Sequence, residues 1–500
     1  MVWYEHTYPV GVIPFAKVPL LGYQEFVNAV SEKIPQNCHC SNYFGIKNND
    51  GIRFYCFLID NDNKRILINS WNYGYYDAFV PESLTALFPM FHPFEREISE
   101  KYGIEFKNNP YDKPLRFPSD RYDKRSNSGN YPYYSVPGHL FHEVNVGPIH
   151  AGIIEPGVFR FVCNGEAIIH MEVVLGFQNR GMETLIRSTD NILKRICLSE
   201  NIAGDSAVSH ATSLCSLHEI LGGIYPDPKI DIERTIAREM ERIAMHIADA
   251  SALCADVAYQ IGEVSCEAIR TIAVNTFLKW CGNRFGKGLI RTGGTYYPIN
   301  KEIINIIFGN ITEIKKRYSL VGEDIMSEPS VLSRFEDCGI VDYKEVKAIG
   351  CVGMAVRSSG LNRDIRSSLL FDQYKNHKPV IFTEGDVMAR FKVRHYEILQ
   401  SCDYILEMLS CLEPEGQNLS PVYSMSLQPD SLAFVFNESW RGELCHMAAT
   451  DERGKLIHYK IKDPSLHNWY ALSVCVRGEE ISDFPICNKS FNLSYCGHDL

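Results

Sequence analysis

The sequence predicts an α+β protein in which a small N-terminal α/β unit precedes a larger helical bundle with β-hairpins at its periphery. Residues 53–69 and 158–174 each show two strand-like runs around a short turn, and residues 231–262 repeat apolar side chains at helical spacing. A chain of 500 residues has room for two or three domains with sizeable cores. We predict an N-terminal unit over 1–117, a linker rich in Ser, Pro, Gly, Asn and Tyr over 118–140, and the bundle over 141–500.

The N-terminal unit is predicted from one hairpin and one helix. Residues 53–60 and 64–69 form paired strands around an Asn-Asp-Asn turn. A helix follows within residues 84–106, and its charged residues cluster at helical spacings. One interpretation of that cluster is a solvated face whose charge pairs each contribute about 0.2–0.5 kcal/mol. Its members are Glu95, Arg96, Glu97, Glu100 and Lys101.

A tight, apolar loop before the second hairpin carries two side chains suited to chemistry. Turns made of glycine and proline flank an apolar run over 151–154 and hold His150 and Glu155 on one loop. Strands are predicted over 158–163 and 167–174, joined by an Asn-Gly pair that strongly indicates a hairpin. The alternative for the loop is a surface segment with solvated polar tips.

The rest of the chain is predicted to be mainly helical. Residues from about 183 to 285 show helical patterns, and 231–262 form a core helix whose apolar residues recur at three and four. Residues 399–412 form another amphipathic helix, and 439–463 form a hairpin turned near residue 453. Charged residues fill the second face of the core helix: Glu233, Arg234, Arg238, Glu241 and Arg242.

Composition argues against several classes of protein. A net charge of -11 argues against nucleic acid as a partner. No apolar run reaches the length of about 18 residues that a membrane span needs, and the N-terminal residues lack the pattern of a signal peptide. The 17 cysteines contain no CxxC pair, so we expect mostly reduced, buried thiols and no metal site of the usual spacing.

Three strings carry a family resemblance. GPIHAGIIEPG over 147–157, FRF over 159–161 and LGFQNRGME over 175–183 resemble the large subunit of the membrane-bound, group 4 nickel–iron hydrogenases. They equally resemble the 49 kDa quinone-site subunit of respiratory NADH dehydrogenase, complex I. Two residues depart from the hydrogenase pattern, because Val158 and Asn179 stand where similar chains carry histidine.

The resemblance extends over nearly the whole chain. The string FPMFHPFEREISEKYGIEFKNNPYDKPLRFP over 88–118 is similar to the 30 kDa subunit of complex I, a docking domain beside the quinone-site subunit. The two blocks are fused in this order in hydrogenases of the formate-hydrogenlyase type. CVGMAVRSSGLNRDIR over 351–366 resembles the loop that borders the active cavity in both families, and RGEL at 441–444 resembles their closing sheet.

The resemblance implies where a nickel–iron centre would lie, and the sequence lacks its ligands there. Such a centre needs four thiolates, which hydrogenases supply from two CxxC motifs. Ala203, Ser206, Ser494 and Gly497 stand at the matching positions of this chain. We therefore expect this chain to bind no nickel–iron centre and no other metal.

The polar residues that remain define the predicted site. By resemblance, Glu155, His150, His210 and Asp205 are the candidate catalytic groups, able to move protons. Arg357 and Asp364 would line the cavity. On chemistry alone they belong to a loop with an internal ion pair. The 49 kDa likeness implies a quinone headgroup as the candidate ligand, with no cofactor bound permanently by this chain.

The function implied is that of a subunit of a membrane-associated respiratory or hydrogenase-4-like oxidoreductase complex. It would couple electron transfer or proton movement to ion-translocating subunits, with an iron–sulfur small subunit and antiporter-like membrane subunits as partners. Membrane association through those partners would place it on the inner face of the bacterial cytoplasmic membrane. The alternatives are a non-catalytic structural or regulatory subunit and, third, a working hydrogenase.

Overall fold

A computed structural model describes residues 2–77, 79–138, 140–150, 155–412 and 420–500. Helices and sheets are combined throughout, which confirms the mixed α and β class. The N-terminal elements are β1 (Tyr4–His6), β2 (Val10–Pro14), β3 (Leu20–Leu21), α1 (Tyr23–Lys33), β4 (Cys38–Lys47), β5 (Gly51–Asp60), β6 (Arg65–Gly74) and α2 (His92–Tyr102).

One sheet forms most of the N-terminal region. Its strands lie in the order β1-β6-β5-β4, and β3 pairs with β6 in parallel. β5 and β6 pair antiparallel from Gly51↔Gly74 to Asp60↔Arg65, which confirms the predicted hairpin. α1 and α2 pack on the sheet around Trp71, which is 0% exposed.

β2 does not join that sheet. It pairs antiparallel with β10 (Ser431–Ser439), so a segment from the start of the chain completes a sheet built from its end. That four-stranded sheet has the order β12-β11-β10-β2, where β11 is Gly442–Thr450 and β12 is Leu456–Lys462. The two sheets share a core in which Phe57 contacts Phe434, with ring centroids 5.7 Å apart. The division into 1–117, 118–140 and 141–500 stays a prediction.

The second predicted hairpin is confirmed and has a third strand. The strands are β7 (His142–Val146), β8 (Val158–Asn164) and β9 (Ala167–Val174), paired in the order β7-β8-β9. The turn residue Gly165 has a φ of 61°, a conformation that glycine adopts without strain. The predicted apolar run over 151–154 lies outside the described residues.

Helices dominate the remainder. They are α3 (Met182–Ser188), α4 (Ile192–Ser199), α5 (Ala207–Gly222), α6 (Pro228–Asp256), α7 (Gln260–Cys281), α8 (Lys301–Ser327), α9 (Pro329–Phe335), α10 (Tyr343–Ile349), α11 (Met354–Arg357), α12 (Ile365–Ser368) and α13 (Val387–Cys411). The core helix predicted over 231–262 is two helices, because Ala258 adopts a φ of 58° between α6 and α7.

The chain closes with β10, then β11 (Gly442–Thr450), β12 (Leu456–Lys462), α14 (Ser465–Cys475), α15 (Phe484–Phe491) and α16 (Tyr495–Asp499). β11 and β12 pair antiparallel around the predicted turn near residue 453. Among the described residues, no helix is long and apolar enough to cross a membrane.

The charged cluster of α2 is largely buried, so the solvated-face interpretation is wrong for its first members. Glu95 is 0% exposed and accepts hydrogen bonds from Ser83 Oγ at 2.5 Å and Leu84 N at 2.7 Å. Arg96 donates to the carbonyl oxygen of Lys113 at 2.7 Å. Glu95 and Arg96 therefore bind this helix to the segments that precede and follow it.

The charged residues of α6 are also buried, and α6 contacts α7 and α13 along its length. The side chains that the sequence places on its second face bond to neighbouring segments. Arg238, for example, donates to Asn437 Oδ1 of β10 at 2.6 Å. The buried set is Glu233, Arg234, Arg238, Glu241 and Arg242.

Candidate active-site cavity

A cavity of about 720 Å³ lies between the loop that precedes β8, the start of α5, helix α15 and the C-terminal residues. Its wall is part apolar and part polar. The polar members and the cysteine are His150, Glu155, Asp205, Asp256, Arg441, Asn488, Lys489, Asn492, Tyr495 and Cys496. Three of the six predicted site residues, Glu155, His150 and Asp205, therefore share one hollow.

Glu155 and His150 make few hydrogen bonds with the rest of the protein. Glu155 Oε2 accepts a hydrogen bond from the backbone N–H of Tyr495 at 3.1 Å. The His150 ring stacks on Phe159 with centroids 6.1 Å apart, and neither ring nitrogen has a hydrogen-bond partner among the described residues. An acid and an imidazole that face one cavity without ion-pair partners are suited to exchange protons.

Asp205 is held by an arginine that the sequence reasoning did not assign to the site. Arg441 binds it in bidentate geometry, with Nη1–Oδ1 at 2.9 Å and Nη2–Oδ2 at 2.7 Å. Burial by itself lowers the pKa of Arg441, but Asp205 outweighs that effect and raises it. Asp205 thus contributes little net charge to the cavity. Arg441 begins the RGEL string, but the Asp205 pairing joins residues 236 positions apart.

Cys496 lines the cavity next to Glu155. Burial and the nearby Glu155 carboxylate raise the pKa of this thiol to about 12. Its sulfur lies 3.5 Å from Ser494 Oγ, whose oxygen also accepts from Gly497 N at 2.9 Å and so caps α16. Cys496 therefore stays a neutral thiol at neutral pH.

His210 is outside this lining. It is 0% exposed on α5, and its Nδ1 lies 3.0 Å from His446 Nε2. Its Nε2 lies 3.5 Å from Asp463 Oδ2. Burial alone would raise the pKa of Asp463, but His210 and then Arg441 lower it to about 2. His210 therefore packs behind the cavity wall and would not contact a ligand in the cavity directly.

Arg357 and Asp364 are also absent from the cavity wall, contrary to their predicted position. Both are 0% exposed, with Arg357 Nη1 at 3.1 Å from Asp364 Oδ2. Arg357 further binds Glu397 at 2.7 Å and Glu438 at 2.8 Å. Arg366 bridges Asp364 and Glu397 at 2.7 and 2.9 Å. The predicted ion pair of this loop is present, inside a buried charge network.

A second buried carboxylate lies directly behind Asp205. Glu241 of α6 accepts from Val208 N at 2.8 Å and from Ser209 Oγ at 2.5 Å, at the N-terminus of α5. Burial, with a smaller contribution from Asp205, raises its pKa to about 7. Sequence reasoning grouped Glu241 with the charged face of α6, because nothing local distinguishes it from its neighbours.

The four positions at which the resemblance expects thiolates carry no sulfur. Ala203 and Ser206 are 0% and 3% exposed. A Cβ at Gly497 would lie 2.5 Å from Asp463 Oδ2, so this carboxylate occupies the space of a side chain there. Within the described ranges, no three His, Cys, Asp or Glu side chains are grouped as a metal site.

Comparisons with known proteins agree on the class. Residues 262–434 match the family model described as the respiratory-chain NADH dehydrogenase, 49 Kd subunit. The chain is also similar, at 27% identity over 70% of its length and 96% of the relative, to the carbon monoxide-induced hydrogenase of Rhodospirillum rubrum.

A second relative covers more of the chain. Formate hydrogenlyase subunit 5 of Escherichia coli is 26% identical over 84% of this chain and 77% of its own. A solved chain of the archaeal membrane-bound sulfane sulfur reductase covers 72% of this chain and 98% of its own at 21% identity, with a TM-score of 0.65, and shows likeness of fold. In sequence, this chain is therefore similar to hydrogenase subunits and, over residues 262–434, to the 49 Kd subunit of respiratory NADH dehydrogenase.

Proposed function

We propose that this chain is the cavity-bearing large subunit of a membrane-associated oxidoreductase complex of the hydrogenase-4 or NADH dehydrogenase kind. Glu155, assisted by His150, exchanges protons with the cavity. An iron–sulfur small subunit and antiporter-like membrane subunits are the partners, and they attach the chain to the cytoplasmic face of the membrane. A quinone headgroup is the candidate ligand of the cavity. The relatives named formate hydrogenlyase and hydrogenase support the class of complex.

The observation that carries the proposal is the division of the cavity's charged groups. Asp205 is neutralised by Arg441, whereas Glu155 and His150 face the same hollow with no ion-pair partner in the described part of the chain. A carboxylate that is anchored by one backbone N–H keeps an oxygen available for a proton.

A nickel–iron centre does not fit the donors of this cavity. Cys496 is the cavity's thiol, and burial together with Glu155 raises its pKa to about 12. Cysteine binds a metal as its thiolate, and a nickel–iron pair requires several such ligands. We therefore assign no hydrogen chemistry to this chain. Metal analysis of the purified chain tests this point, and stoichiometric nickel would overturn it.

Glu155→Gln tests the proton role. The complex should purify with all its subunits, and its electron-transfer rate, with the electron donor that the wild-type complex oxidises, should fall by about 100-fold or more, as for loss of an acid–base group. Glu143→Gln is the matched control, because Glu143 lies on β7 near the cavity but pairs with Arg160. An unchanged rate in Glu155→Gln would remove the proposed role.

A structural or regulatory subunit is the second candidate. It is favoured by the engagement of Asp205, His210, Arg357 and Asp364 in ion pairs or buried hydrogen bonds. Such a subunit would need the scaffold but not the free acid. Full activity of the complex after Glu155→Gln and His210→Ala together, with wild-type subunit composition, would favour this function over the first.

A further inference from the structure

Three cysteines lie close together beside helix α15 and are outside the lining of the cavity. Cys338 follows α9, Cys475 ends α14 and Cys487 lies on α15. The sulfurs of Cys338 and Cys487 are 3.9 Å apart. A Cβ built on Gly339 would lie 2.6 Å from the sulfur of Cys487 and 2.7 Å from that of Cys475, so all three thiols surround one glycine.

An arginine lies beside one of these thiols. Arg390 Nη2 lies 3.7 Å from Cys475 Sγ, and the same nitrogen donates to the carbonyl oxygen of Gly339 at 3.0 Å. Cys475 donates its S–H to the same carbonyl oxygen at 3.2 Å, so it is a protonated thiol in this arrangement. The hydrogen bonds with Cys338 and Cys475, with burial, raise the pKa of Cys487.

The thiols also differ in access. Cys338 is 9% exposed and lies between Asp337 and Gly339 just beneath the surface, whereas Cys475 and Cys487 are 1% and 0% exposed. A small reagent therefore reaches Cys338 first.

We propose that Cys338 and Cys487 form a reversible disulfide in exchange with a small-molecule disulfide. Cys338 sulfur attacks the external disulfide and forms a mixed disulfide, which releases one thiol. Cys487 sulfur then attacks Cys338 sulfur, the bond from Cys338 to the external sulfur breaks, and the leaving sulfur takes up the proton that Cys487 gives up. Two protein thiols are oxidised and one external disulfide is reduced to two thiols.

The bond would fix one wall of the cavity. Phe484, Pro485, Asn488 and Lys489 of α15 line the cavity, and Cys487 lies on the same helix. A bond to Cys338 ties that helix to the loop between α9 and α10. The sulfurs must approach from 3.9 Å to about 2 Å, so the helix or the loop shifts when the bond forms.

The test is oxidation of the folded full-length chain with oxidised glutathione, followed by alkylation, digestion and mass spectrometry. We expect a linked peptide that joins Cys338 to Cys487, whereas the exposed Cys197 and Cys411 should carry only glutathione adducts. Dithiothreitol should restore both thiols. Cys254→Ser, which removes another buried cysteine, should leave the linkage intact.

Two variants separate the roles of the thiols. Cys487→Ser should stop the reaction at a glutathione adduct on Cys338, and Cys475→Ser should still form the 338–487 linkage. Far-ultraviolet circular dichroism checks that each variant is folded. Oxidised wild-type chain without a 338–487 peptide, or with a 475–487 peptide instead, would overturn the assignment whatever the variants do.

Discussion

Glu241→Gln should make the stability of this protein less sensitive to pH, with a magnitude that follows from one buried group. Burial raises the pKa of Glu241 from its ordinary value of 4.5 to about 7, and the charge of Asp205 adds to this increase. The folded state therefore holds this proton over a pH range in which the unfolded state has released it. Folding takes up a proton between those two values.

The sign follows from the raised value. The stabilisation by the protonated form is fully present below pH 4.5 and is lost as pH rises through about 7. Each pH unit in that window removes about 1.4 kcal/mol, so about 3 kcal/mol is lost in all. Unfolding a chain of 500 residues carries an entropy of about 1 kcal/mol/K, so this corresponds to about 3 °C in Tm.

The assay is thermal unfolding of the wild type and the variant at pH 5 and at pH 7.5. Glutamine cannot ionise, so Tm of Glu241→Gln relative to wild type should rise by about 3 °C between the two buffers. Glu336→Gln is the control, because Glu336 is exposed and its replacement should give the same difference at both pH values. A pH-independent difference for Glu241→Gln, or one of opposite sign, would refute the reasoning.

Two further variants test the packing around the site. Lys460→Met should destabilise the fold by about 3 kcal/mol, because it removes the buried cation that Glu97 and Glu183 share. Arg334→Met removes a half-exposed pair and should cost less than about 1 kcal/mol in the same urea titration. Gly497→Ala should cost about 1–3 kcal/mol, measured as a lower Tm, since its Cβ would meet Asp463 Oδ2 at 2.5 Å. A stability equal to wild type would contradict either account.

Local chemistry made the hairpins predictable. The turn after β5 and the Asn-Gly pair after β8 specify tight reversals from residues that are adjacent in sequence, and both hairpins form there. The loop with His150 and Glu155 precedes one of them, so their shared cavity could be anticipated from a short segment. The positions of β7 and β2 could not be predicted in this way, because tertiary packing determines their partners. β2, for example, pairs with β10 more than 400 residues away.

Burial of charge was the least predictable property. The charged residues of α6 have the spacing of a solvated face, and only the approach of distant segments neutralises them. Arg357, for example, meets Glu397 and Glu438, which no local pattern links to it. Arg357 was expected in the cavity wall because the resemblance identifies its loop but does not show that its side chain is buried.

The cavity's chemistry follows from which of its ionisable groups are already satisfied. Arg441 commits both terminal nitrogens to Asp205. Burial and Glu155 keep the Cys496 thiol protonated by raising its pKa to about 12. Neither the Cys496 thiol nor the compensated Asp205 carboxylate is therefore available to exchange protons at neutral pH. We expect a reaction there that consumes or releases protons to use Glu155 and His150, with Asp256 and Lys489 as the other ionisable groups of the lining.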